Sequence, residues 1–295
     1  MKMHESVLLD EAVKELHIIQ NEKYIDATLG AGGHSIQIIN QGGVVLGIEA
    51  DSQMLELARN AVAEACPPLK SLEGRFTAKQ GNFRNIDTLA QSAGFDKVSG
   101  ILYDLGISNL HFDNLRGFSF QHPDDLLDMR LDPESQGVTA ADLLNSLPVS
   151  QLKVLFSVSV GKNKSIQLSS EIVRRRMRKS FQTVGDLLEL FPRSSAQKIH
   201  PATTAFMALR IAVNDELTTL AESLPKALSL LRRDGLLVVI SFHSGEDRIV
   251  KTFFSHFETQ ALGEILTKKP IVATKGELQK NPKARSAKLR SIKKL

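Results

Sequence analysis

The chain has 295 residues, 42% of them apolar and 24% charged, with a formal net charge of +4. That is enough to bury a full core in one large domain or two modest ones, and the single cysteine, Cys66, excludes an intrachain disulfide framework or a cysteine metal cluster. The N-terminus "MKMHESVLLDEAVKEL" is charged throughout and no run reaches the roughly 20 apolar residues of a membrane span, so a soluble, cytoplasmic protein is expected.

In chain order, "KYIDATL" reads as a short buried strand carrying Asp26. Gly30, Gly32 and Gly33 follow, where side chains would block the close approach of a ligand, and a helix should begin near Ser35. Strand, glycine loop and helix start make the layout of a dinucleotide fingerprint, but the spacing is G-x-G-G-x-S rather than G-x-G-x-x-G. "GVVLGIEA" reads as a second strand, and its Glu49 lies 19 residues past Gly30, where an acid can accept ribose hydroxyls. Residues 52 to 65 form a helical pattern with a cap-like Ser52, ending before Pro67 and Pro68. "VSGILYDLG" is a further strand, placing Asp104 just before Gly106. This is βαβ rhythm, and it predicts a parallel sheet with helices on both faces.

From Asp113 to about His200 the strand signal nearly vanishes, which predicts an inserted helical domain over 113–200 between two parts of the sheet domain, 1–112 and 201–295. Within it "RRRMRK", residues 174 to 179, puts five positive charges in six positions on a helix starting near Ser169 or Ser170. Such density makes phosphate contacts plausible. Residues 202 to 220 then place Phe206, Leu209, Val213, Leu217 and Leu220 on one helical face, and "GLLVVISFH" returns to strand pattern. "SFHSGEDRIVK" clusters His243, Glu246, Asp247 and Arg248 after that strand. Its spacing matches no standard metal-ligand motif, and acids at a helix N-terminus explain Glu246 and Asp247 equally well. The last 16 residues, with Lys280, Lys283, Arg285, Lys288, Arg290, Lys293, Lys294 and no acid, read as a basic tail for a polyanion or simply as a solvated one.

Ligands of open α/β sheets bind outside the strand carboxyl ends, here beside Asp26, Glu49 and Asp104. An adenosine-bearing ligand is implied. NAD would set a pyrophosphate on the helix N-terminus, whereas the sulfonium of S-adenosylmethionine tolerates nearby carboxylates, so the carboxylates favour the sulfonium. If a base amine accepts the methyl, a group must orient the amine and take its proton, and Asp104 suits that role.

The strings "HESVLLDEA", "DATLGAGGHS", "DLGIS", "RGFSF", "LDMRLD", "ALRIAVNDEL", "FHSGEDRIVK" and "NPKARSAKLR" occur in the order found in the bacterial small-subunit ribosomal RNA cytosine-N4 methyltransferases, the RsmH or MraW family, which the chain resembles over nearly its whole length. The resemblance implies a Rossmann-like class I methyltransferase sheet interrupted by a helical substrate-recognition domain, with methyl transfer to the exocyclic N4 of a decoding-centre cytidine. By position, the family's cofactor contacts fall on Gly32, Gly33, His34, Glu49, Phe83, Asp104 and His111. Asp104 and His243 stand as the catalytic candidates. Arg116, Arg130, Arg174, Arg175 and Arg248 stand as the RNA contacts, with internal pairing of Arg116 and Arg130 to Asp124, Asp125 or Asp128 as the alternative. The chain departs from the pattern at Ser6 for Pro, Glu49 for Asp, Lys162 for Glu, Thr204 for Arg, Met207 for Gln and Gly245 for Leu. Those in the insert motivate a rival reading, an RNA-binding assembly protein of the same fold without turnover. An NAD-dependent oxidoreductase is a third.

Overall fold

Strands β1 (Lys23–Asp26), β2 (Val44–Glu49), β3 (Phe76–Gln80), β4 (Val98–Asp104), β5 (Leu231–Ser241), β6 (Gly263–Ile265) and β7 (Lys288–Lys294) form one sheet in a computed structural model that describes residues 6–66, 74–107, 115–191 and 200–295. Their order is β3-β2-β1-β4-β5-β7-β6. The first five are parallel, and β7 runs antiparallel between β5 and β6. Such a sheet is buried on both faces, which is why β4 reads as a continuous run from Val98 to Tyr103 rather than as an alternation.

The helices are α1 (Leu9–Leu16), α2 (Gly33–Asn40), α3 (Ser52–Ala65), α4 (Ile86–Ser92), α5 (Ala140–Ser146), α6 (Val149–Ser157), α7 (Lys162–Arg176), α8 (Val184–Leu188), α9 (Thr203–Val213), α10 (Glu216–Leu230), α11 (Ser244–Thr259) and α12 (Lys275–Lys280). On one face of the sheet Ile86, Ala90, Leu220, Leu224, Val250 and Phe254 pack against Ile25, Ile101 and Val239. On the other, Ala12, Leu16, Ile38 and Val62 pack against Tyr24, Leu102 and Val238. The Asp51 carboxylate, rather than the expected Ser52, caps α3 by accepting the N–H groups of Gln53 and Met54.

The chain divides into two compact units, residues 1–107 with 217–295 and residues 108–216. The second unit extends past the expected limit at 200 because α9 packs on α5 and α6. The single helix expected over 202 to 220 is broken at Asn214 and Asp215. Asn214 turns its amide inward, donating to Met129 O at 2.8 Å and accepting from Leu131 N at 2.9 Å, and Asp215 takes a left-handed conformation. Within this unit α5 and α8 start from capping boxes, Thr139 with Asp142 and Thr183 with Asp186.

The largest correction concerns the C-terminus, which is a strand of the sheet and not a tail. In β7, Leu289 and Ile292 are fully buried. The flanking cations are held in place: Arg290 Nε donates to Asp247 Oδ1 at 2.7 Å, Lys288 pairs with the other Asp247 oxygen at 3.0 Å, and Lys293 pairs with Glu264 at 2.8 Å. Lys294 Nζ donates to the carbonyl of Leu231 at 2.7 Å. Burial would raise the Asp247 carboxyl, but its bonds and charge contacts with Arg290 and Lys288 hold it below the usual carboxylate range.

Candidate active site

Because β1, β2 and β4 are parallel neighbours, Asp26, Glu49 and Asp104 all end on one edge of the sheet. Asp26 is 1% exposed. Ser35 Oγ donates to its Oδ2 at 2.8 Å and Thr28 N to its Oδ1 at 3.3 Å. Burial pushes the Asp26 carboxyl up to about 6 against these bonds, and the charge of Glu49 adds to the rise. Asp104 N donates to Thr28 Oγ1 at 2.6 Å, which ties the ends of β1 and β4 together. The Asp104 carboxyl lies well above the ordinary range, because of burial first and then the charges of Asp26 and Glu246, with Lys283 acting in the opposite sense. Its Oδ1 is buried and makes no hydrogen bond to the described residues.

The glycine loop closes this edge. Gly30 and Gly32 have φ of 53° and 84°, values that side chains rarely adopt. A Cβ on Gly30 would meet only Thr28 O, at 3.9 Å, so the loop presents open backbone there. A Cβ on Gly33 would lie 2.1 Å from Ser6 Oγ, so Ser6, at the family's Pro position, packs directly under the loop. Glu49 fixes the loop from below: its Oε2 accepts from Gly30 N at 2.9 Å and its Oε1 from Asp51 N at 3.0 Å.

This donor set suits one kind of ligand. A pyrophosphate beside Asp26 and Asp104 would raise their carboxyls further, whereas a sulfonium favours their ionised forms. The buried Asp104 Oδ1 is an acceptor without a donor among the described residues.

The remaining expected site residues fall as follows. Phe83 packs edge-on against Tyr103, centroids 5.5 Å apart, and is half-buried beside the sheet. His111 lies outside the described residues. His34 is 4% exposed and turned inward, Nε2 to Val7 O at 3.2 Å and Nδ1 to Asp104 Oδ2 at 3.7 Å. His243, the second catalytic candidate, caps α11: its Nδ1 accepts from Gly245 N at 3.1 Å and Glu246 N at 3.3 Å. Its Nε2 lies 3.2 Å from Glu246 Oε1, and no hydrogen bond links the ring to Asp104 among the described residues. Glu246 completes this capping box by accepting Phe242 N at 2.7 Å. Thr28, Ser35 and Glu246 were not singled out for the Asp26–Asp104 pair, although the first two sit inside "DATLGAGGHS".

The arginines expected to grip RNA are mostly engaged within their own unit. Arg130 makes a two-pronged bond to Asp128, 2.7 Å at each prong, and donates to the carbonyls of Pro133 at 3.1 Å and Gln136 at 2.7 Å. Arg116 donates to the carbonyls of Arg130 and Leu131, both at 3.1 Å. In the basic run, Arg174 pairs with Glu171, Arg175 with Glu189, and Lys179 with Asp186, while Arg176 donates to the carbonyls of Leu144 and Leu147. Four of the five cations of the run thus have partners within the unit, while Arg174 and Lys179 stay exposed. Arg248, on α11, is exposed. Replacing Arg130 by Ala is expected to destabilise the insert by about 2–3 kcal/mol, since Asp128 is left half-buried without its partner; chemical denaturation measures it.

Sheet order 3-2-1-4-5-7-6 with an antiparallel seventh strand, and acids at the ends of β1, β2 and β4, define a Rossmann-like class I methyltransferase. The profile of the MraW methylase family matches residues 1–295, and the chain belongs to that family. It is 39% identical over 313 residues to the ribosomal RNA small subunit methyltransferase H of Carboxydothermus hydrogenoformans, covering 99% of this chain and 98% of the relative. The proteins of the same name from Thermomicrobium roseum and Picosynechococcus sp. are 41% and 42% identical, covering 99% and 97% of this chain and 94% and 95% of theirs. No helix among the described residues is long and apolar enough to cross a membrane.

Proposed function

We propose that this protein transfers the methyl group of S-adenosylmethionine to the exocyclic N4 of a cytidine in the decoding region of small-subunit ribosomal RNA. The observation that carries the reading is Asp104 Oδ1, a buried acceptor without a hydrogen-bond partner among the described residues, at the end of the central strand. The relatives' name, a small-subunit ribosomal RNA methyltransferase, supports the substrate class. When bound, the cofactor supplies an electrophilic methyl on a cationic sulfur.

The residues divide the remaining work. Open backbone at Gly30 admits the cofactor's amino acid end, Glu49 accepts its ribose hydroxyls, and Phe83 borders the adenine. Asp104 accepts a hydrogen bond from N4, which turns the amine's lone pair, normally delocalised into the ring, toward the methyl. It then takes the amine proton. Thr28 and Ser35 hold the two strand-end acids in register. Arg248, an exposed cation on α11, is assigned to the RNA phosphates.

Incubation with methyl-labelled S-adenosylmethionine and small subunits from cells lacking the protein tests the reading. Label on N4 of one cytidine is the expected result. Label on another base or on a ring carbon overturns it, as does salt-sensitive binding to small subunits without label.

A further inference from the structure

We propose that His34 is a positioning residue that holds Asp104 in its ionised, proton-accepting form, rather than a side-chain contact to the methyl donor. The inference rests on the amine-acceptor role assigned to Asp104. With 4% of its surface exposed, the His34 ring is turned away from solvent. Val7 O can only accept, so its 3.2 Å contact places a proton on His34 Nε2. Nδ1 is thereby the nitrogen that gains or loses a proton, and it faces Asp104 Oδ2 at 3.7 Å. The two oxygens of Asp104 have separate surroundings: Oδ2 meets the imidazole, and Oδ1 is buried without a hydrogen-bond partner among the described residues.

Asp104 needs such a partner. Around it stand Asp26 from β1, Glu246 from α11, His34 from α2 and Lys283 from the segment after α12. Burial and the two acids favour a neutral carboxyl, which could neither accept a hydrogen bond at both oxygens nor take up a proton. A proton resident on His34 Nδ1 makes the pair an imidazolium and a carboxylate and restores the acceptor. In the transfer step the N4–methyl bond forms, the methyl–sulfur bond breaks with its electron pair left on sulfur, and the N4 proton passes to Asp104 Oδ1. The carboxyl then releases that proton to solvent.

Two substitutions separate this from a packing role. His34→Gln sets an amide where Nε2 stands and keeps the donor to Val7 O, whereas His34→Asn keeps a polar atom on the Asp104 side, and neither titrates. Both are expected to move the acid limb of the kcat–pH profile to higher pH by about one unit or more, with less change in KM for the cofactor. Independently of turnover, nitrogen NMR of the free protein is expected to show His34 as an imidazolium at pH 7 and as a neutral ring in Asp104→Asn. A neutral His34 ring in the wild type, or a His34→Gln variant with an unmoved acid limb, overturns the inference. Wild-type protein that puts no label on a cytidine N4 overturns the parent reading instead, and the NMR result then decides the role of His34 alone.

Discussion

Asp104→Asn is expected to lower kcat for methyl transfer by about 10²–10⁴-fold, the usual cost of removing a proton acceptor, and at the same time to raise the melting temperature. The amide fills the same space but cannot take the proton. It also presents no charge to a sulfonium, so affinity for S-adenosylmethionine falls more than affinity for S-adenosylhomocysteine, whose sulfur is neutral. The gain in stability follows from the direction of the shift. A carboxyl whose folded value lies above its unfolded value contributes fully below the unfolded value, and that contribution is lost as pH rises through the folded one. The melting-temperature gap between variant and wild type should therefore be small near pH 4 and widen toward pH 8. Asp26 obeys the same sign: its rise from 3.8 to about 6 corresponds to about 3 kcal/mol withheld from the fold above pH 6. Two raised carboxyls at one strand edge are a cost to stability that catalysis explains. Unchanged turnover in Asp104→Asn would remove it from the reaction.

Truncation after Ala287 is expected to abolish cooperative unfolding, and Leu289→Ala to destabilise the sheet unit by about 2–5 kcal/mol, as for other fully buried leucines. The truncation removes β7, which pairs with β5 over Leu236–Ser241 and with β6 over Gly263–Ile265. Asp247 would then lose both its cations and stay half-buried. A basic tail would behave otherwise, since its loss would change only salt-dependent binding to RNA. Circular dichroism and denaturation of the truncated chain distinguish the two.

The strand-end acids were legible because each closes a short apolar run, and parallel strands must bring such ends to one edge. The glycine loop was legible for a similar local reason. What could not be read was any role fixed by a residue far away in the chain. The alternation in "KLRSIKK" was hidden by its cations, whose partners Asp247 and Glu264 come from α11 and β6. The partners of "RRRMRK" at Glu189 and Asp186 lie beyond the run and are not marked by its composition. Arg130 and Asp128, two residues apart, were legible as a pair. His243 stands out in the sequence as part of a polar cluster after a strand, and Glu246 three residues on completes the capping box seen there. His34 was assigned to the cofactor by position, and only packing shows its ring turned toward Asp104 and Val7.

A crystal structure with S-adenosylhomocysteine tests the central claim most directly. The account predicts the ribose at Glu49, the amino acid end against the backbone of residues 30 to 34, and the sulfur on the side of Asp104. Nucleoside density at any other edge of the sheet, or a crevice filled by the protein's own side chains, would contradict it.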